Sequence, residues 1–111
     1  MDLKEFINIM KESKDGYNSL LEISDKLNIK LTTTNDNKFI IDNILVSLLE
    51  KIGLKVIGTA ERNSYVIFRK DNIQIAFKSE YKNNIGMILP DEYNIVYIEE
   101  NNNKEIKKIE K

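Results

Sequence analysis

The spacing of apolar residues changes at Gly53, from the helical period of about 3.6 before it to the strand period of 2 after it. Such a chain must build helices first and a sheet second, each burying one face. Leu3, Phe6, Ile7 and Met10 form a single stripe, which predicts a helix over Asp2–Ser13. Asp2 is its candidate cap, with Glu5 three residues on, and Lys14-Asp15-Gly16 its stop. A second helix is predicted over Ser19–Asn28, with Ser19 and Glu22 as a capping box and Leu20, Ile23 and Leu27 as its buried face. Lys30–Asn37 (KLTTTNDN) reads as a loop or one irregular turn. The third helix is predicted from about Lys38 to Ile52, through Ile41, Ile44, Leu45, Leu48 and Ile52, with Asn35 or Asn37 as cap and Gly53 as stop.

After Gly53 the strands expected are Leu54–Ile57, Tyr65–Arg69, Asn72–Lys78, Ile85–Leu89 and Asn94–Ile98. Lys70-Asp71-Asn72 makes a hairpin turn, and Pro90-Asp91 separates the last two strands. The expected fold is α+β: three N-terminal helices followed by an antiparallel sheet of three to five strands, in one domain. Residues 1–53 form its helical part, 54–98 its β part, and 99–111 a polar tail that is frayed or a short helix.

Which residues are missing narrows the chemistry. With no His and no Cys, a Ser-His-Asp triad, a Cys-His pair and the usual zinc sites are all impossible. Gly16, Gly53, Gly58 and Gly86 are too scattered for a phosphate loop or dinucleotide fingerprint. The expectation is a non-enzymatic binding protein with no cofactor and no metal. Its net charge of −1 gives no global pointer to a phosphate backbone. No apolar run is long enough to span a bilayer, and Met1-Asp2-Leu3-Lys4-Glu5 lacks the order of a secretory signal. A cytoplasmic protein with no membrane partner is expected.

Ile23, Ser24, Leu27, Asn28 and Ile29 follow the order of a helix-turn-helix, in which a small residue lets the next helix cross closely and Asn28 takes the place of the turn glycine. Leu48–Gly58 (LLEKIGLKVIG) is similar to the close of the last helix in Cro- and lambda-repressor-type regulators. It also resembles the phrase that leads into the wing of MarR- and ArsR-like winged-helix regulators, a wing that Glu61–Phe68 would supply here. The resemblance covers about residues 2–70. It implies a duplex-DNA-binding regulator, acting as a homodimer, that reads bases with Thr32, Thr33, Asn35 and Lys38 and uses Arg62 and Arg69 from the wing. The pattern departs in its reading half: the two apolar slots of that helix hold Thr34 and Asn37, and Asp36 would face phosphate.

Other readings stand beside it. A protein-binding inhibitor or adaptor of the mobile-element type, such as an anti-CRISPR or anti-repressor protein, would use acidic and tyrosine residues: Asp91, Glu92, Tyr93, Tyr97, Glu99 and Glu100. Pro90-Asp91 followed by Glu105-Ile106-Lys107 spells the order of a Mg²⁺-dependent nuclease, although that Glu-x-Lys lies in the polar tail. Tyr65, Phe68, Phe77, Tyr81, Tyr93 and Tyr97, with Arg69, Lys70, Lys78 and Lys82 interleaved, offer rings for single-stranded bases; Phe68 and Phe77 suit a core better.

Overall fold

Asp2 starts the first helix by accepting a hydrogen bond from the Glu5 amide at 2.8 Å, the cap its position in the sequence suggests. The computed structural model describes residues 1–13, 16–98 and 106–109 of the chain. Its elements, in order, are α1 (Leu3–Glu12), α2 (Gly16–Leu27), β1 (Phe39–Ile40), α3 (Asn43–Ile52), β2 (Lys55–Ala60), β3 (Tyr65–Lys70), β4 (Ile73–Lys82), β5 (Ile85–Ile98) and β6 (Ile106–Ile109). The class is α+β, but the expected order of three helices followed by three to five strands is overturned. A strand, β1, lies between α2 and α3, and the sheet has six strands among the described residues.

Local chemistry explains where each helix begins and ends. Gly16 opens α2 instead of closing α1, and Ser19 lies buried inside α2, not at its cap. Asn28 leaves α2 in the left-handed region (φ 54). There the Ile29 amide reaches the Ser24 carbonyl at 2.9 Å and the Asn28 amide reaches that of Asp25 at 3.2 Å, the paired bonds of a Schellman stop. Gly53 (φ 99) closes α3 in the same way, with the Leu54 amide on the Leu49 carbonyl at 3.0 Å and the Gly53 amide on that of Glu50 at 2.9 Å. The start of α3 departs from expectation. Asp42 caps it by accepting from the Ile44 and Leu45 amides, both at 3.1 Å, so the helix begins five residues later than Lys38 (43 − 38). Phe39 and Ile40 are left to pair with Ile88 and Met87 of β5.

The sheet is antiparallel, in the order β1-β5-β4-β3-β2, with β6 also on β5. Pro90 does not divide β5. Between Ser79↔Ile88 and Phe77↔Tyr93, β4 advances two residues (79 − 77) and β5 five (93 − 88), so β5 bulges over 89–92. A bulge has ladder positions that need no amide donor, which is where proline is tolerated in a strand. In the region expected to be a frayed or helical tail, Ile106–Ile109 pairs with Ile95–Ile98.

One face of the sheet carries Val66, Phe68, Ile75, Phe77, Ile88, Tyr93 and Ile95, all buried. Against it the helices place Phe6, Met10, Leu20, Ile23, Leu45, Leu48 and Leu49 in the same core cluster. Ring contacts run across this core: Phe77 meets Phe68 edge-on at 6.0 Å and Tyr93 at a tilt at 6.4 Å, and Phe39 stacks on Tyr17 of α2 at 5.0 Å. The opposite face presents half-buried Tyr65, Ile67, Arg69, Gln74, Ala76, Lys78 and Glu80. Among the described residues no helix is long and apolar enough to cross a membrane.

Candidate functional site

Thr32–Lys38, the expected DNA-reading segment, folds as a tight turn before β1 and not as a helix. Thr33 bridges Phe39, and the Thr34 amide donates to the Lys38 carbonyl at 2.9 Å while Lys38 returns its amide to the Thr34 hydroxyl at 3.1 Å. Asn37 takes a left-handed conformation (φ 63) to complete the turn. Thr32, Thr33 and Asn35 are exposed. The Lys38 side chain is not: only 19% of it is accessible, because its Nζ lies 2.5 Å from a Glu80 carboxylate oxygen and 3.0 Å from one of Asp36. The Lys38–Glu80 pair reaches over β5 and ties the turn to β4. The Thr34 hydroxyl, donating to Asp36 at 2.5 Å, and then the Lys38 ammonium hold the Asp36 carboxyl down at about 2. The hydrogen bond to Glu80, followed by that to Asp36, pushes Lys38 upward.

The two expected wing arginines lie elsewhere. Arg62 is exposed in the β2–β3 turn, and Arg69, on β3, donates from Nε to the Asp71 carbonyl at 2.9 Å. Since β1 and β2 are opposite edges of the sheet, four strand spacings separate the Thr32–Lys38 turn from Arg62's hairpin, roughly 19 Å. The six expected DNA contacts therefore do not form one surface.

Of the acidic and tyrosine set, Tyr93 is buried, with its ring against Phe77. Asp91, Glu92 and Tyr97 have their backbones in β5, and Glu99 and Glu100 lie outside the described residues. Glu105 of the nuclease-like spacing also lies outside them, while Lys107 pairs through its backbone with Tyr97. Among the described residues no three acidic side chains gather as a metal site. Phe68 and Phe77 are core, and Tyr65 lies beneath the Lys78 ammonium, 5.2 Å from the ring centre.

Two surfaces emerge that the sequence did not single out. A cleft of about 480 Å³ runs beside α2, lined by Tyr17, Leu21, Asp25, Ile29, Lys30 and Leu31 among others. The second is β2. It is an edge strand: among the described residues nothing pairs with its outer side. Lys55 to Thr59 are all exposed, with Val56 45% and Ile57 54% accessible. The pairing with β3 shifts between Val56 and Gly58, which makes Ile57 the extra residue of a bulge. Gly58 permits this with φ 144, and a side chain added there would meet nothing within 4 Å. The hairpin beyond is firmly held: Thr59 donates to the Asn63 side chain at 2.6 Å, and Ser79, buried on β4, donates to the Asn63 carbonyl at 2.8 Å. A stretch reading Val-Ile-Gly-Thr-Ala, without charge or proline, thus lies on an open edge. Nothing in the local pattern announces it, because an edge is defined by which strands fail to pair. No protein-family model matches the chain, and no curated protein or solved structure matches it either.

Proposed function

We propose that this chain is a non-catalytic protein-binding domain that takes an extended segment of another polypeptide onto β2 by strand addition. The observation that carries this reading is the exposure of Val56 and Ile57 on an edge strand that carries no charge after Lys55. Open edges are normally blunted by charge, proline, a β-bulge or a covering element, because they recruit other strands. β2 has a bulge but neither charge nor proline between residues 56 and 60. Added main-chain hydrogen bonds would supply affinity, and Val56 and Ile57 would supply apolar contact. A duplex-DNA regulator draws less support, because Lys38 is engaged with Glu80 and Asp36 and the other expected contacts are divided between the turn before β1, the β2–β3 hairpin and β3.

A photo-crosslinking side chain placed at Thr59 in the expressed full-length chain tests the reading. The expected result is a covalent adduct with a polypeptide, lost when Ile57→Lys is added and absent when the crosslinker stands at Asn35. Adducts to DNA, or polypeptide adducts formed only from position 35, would overturn it.

A further inference from the structure

We infer that the segment received by β2 is acidic, with a carboxylate at the end that lies beside Lys55; this rests on the protein-binding reading above. The argument is one of charge. Lys55, the first residue of β2, faces Arg69 of β3 in register, ahead of the irregularity between Val56 and Gly58. Like charges directly opposed across two strands destabilise the pair. Both residues belong to the sheet face that the helices leave open, since Phe68, the neighbour of Arg69, is buried in the core on the other face.

Two further cations stand at this end of the sheet. Lys70 lays its side chain against Gly53, where an added Cβ would come within 2.9 Å of its Nζ. Lys51 is exposed in the last turn of α3. The free carbonyls that end α3 form its negative pole, which suits both. That pole accounts for Lys51 and Lys70 but not for Lys55 facing Arg69. Residues 50–55 and 69–71 together hold four cations and two carboxylates, a local charge of +2 (4 − 2) in a chain of net charge −1. Among the described residues Lys55 takes part in no ion pair.

An added strand supplies the missing charge. It places one side chain across from Lys55 on the open face, at the cross-strand distance of about 5 Å. A carboxylate there pairs with Lys55 and offsets its repulsion from Arg69, whereas a cation there would make three in a row. Val56 and Ile57, next along the strand, are apolar and set no charge preference, so the selection is made at Lys55.

Fluorescence anisotropy of the full chain with three dye-labelled peptides reads this directly: Glu-Val-Thr-Val-Thr-Val-Glu and its Gln-ended and Lys-ended counterparts. Charge at both ends covers either strand direction. The expected result is that the Glu-ended peptide binds roughly tenfold tighter than the Lys-ended one, a gap that narrows as NaCl is raised. Lys55→Glu should reverse that order. Lys26→Glu, the same charge change on α2, should leave it unchanged, and circular dichroism should show both variants folded. Equal binding of the three peptides overturns the acidic inference and leaves strand addition standing. So does an order that Lys55→Glu fails to reverse, or that Lys26→Glu reverses as well. No binding of any peptide up to hundreds of micromolar also overturns the inference. The crosslink at Thr59 then decides the wider reading: an adduct with a polypeptide keeps it, and the lack of one removes it.

Discussion

Lys38 shows how a single residue can look available in a sequence and be committed in a fold. Its ammonium group bridges Asp36 within the turn and Glu80 on β4, so its charge serves to anchor that turn. Thr34 and Lys38 together stabilise the ionised form of Asp36, and this has a measurable sign. The folded carboxyl, at about 2, is depressed below its unfolded value of 3.8. Its contribution to stability is therefore complete above about pH 4 and is lost as pH falls toward 2. An NMR titration of the Asp36 carboxyl should give a midpoint near 2, moving upward in Thr34→Val and by less in Lys38→Met. An unshifted midpoint in both variants would mean that the turn is not held this way. In the core, Phe77 touches both Phe68 and Tyr93 and is fully buried. Phe77→Ala should cost about 3–5 kcal/mol in urea unfolding, from lost burial and the cavity left behind.

Among the elements, half of the helix termini were legible: Gly16 and Ser19 were misread as a stop and a cap, and α3 was started too early. Asp2, Asn28 and Gly53 do what their chemistry suggests, because capping depends on a few neighbouring atoms. The start of α3 was misplaced because Ile41 extends its helical period by coincidence, while Asp42 supplies the actual cap. Phe39 is buried in either case, so burial alone does not separate strand from helix there. Asp42→Ala should lower stability by about 1 kcal/mol and reduce the helical circular dichroism signal, since two α3 amides lose their acceptor. The corresponding change at Asn37, a residue in the preceding turn, should leave the α3 signal unchanged. The alternation in β3 and β4 was read correctly because one face of each is buried and the other is not. The long β5 was read as two strands, since a proline normally ends a strand unless a bulge accommodates it.

At the scale of the whole molecule, the candidate site belongs to the topology. Val56 and Ile57 were recognisable as strand residues, but their exposure follows from β2 being last in the order β1-β5-β4-β3-β2, and no local pattern encodes that order. The same topology separates the residues expected to read DNA, placing the Thr32–Lys38 turn and the Arg62 hairpin at opposite edges. What remains is an α+β domain whose helices cover one sheet face and whose β2 edge exposes Val56 and Ile57. Amide hydrogen exchange of the full chain tests that claim most directly. An open β2 edge predicts fast exchange at those amides of Val56–Ala60 that do not pair with β3, while amides of β4, paired on both sides, are protected. Protection of every amide in Val56–Ala60 equal to that of β4 would contradict it.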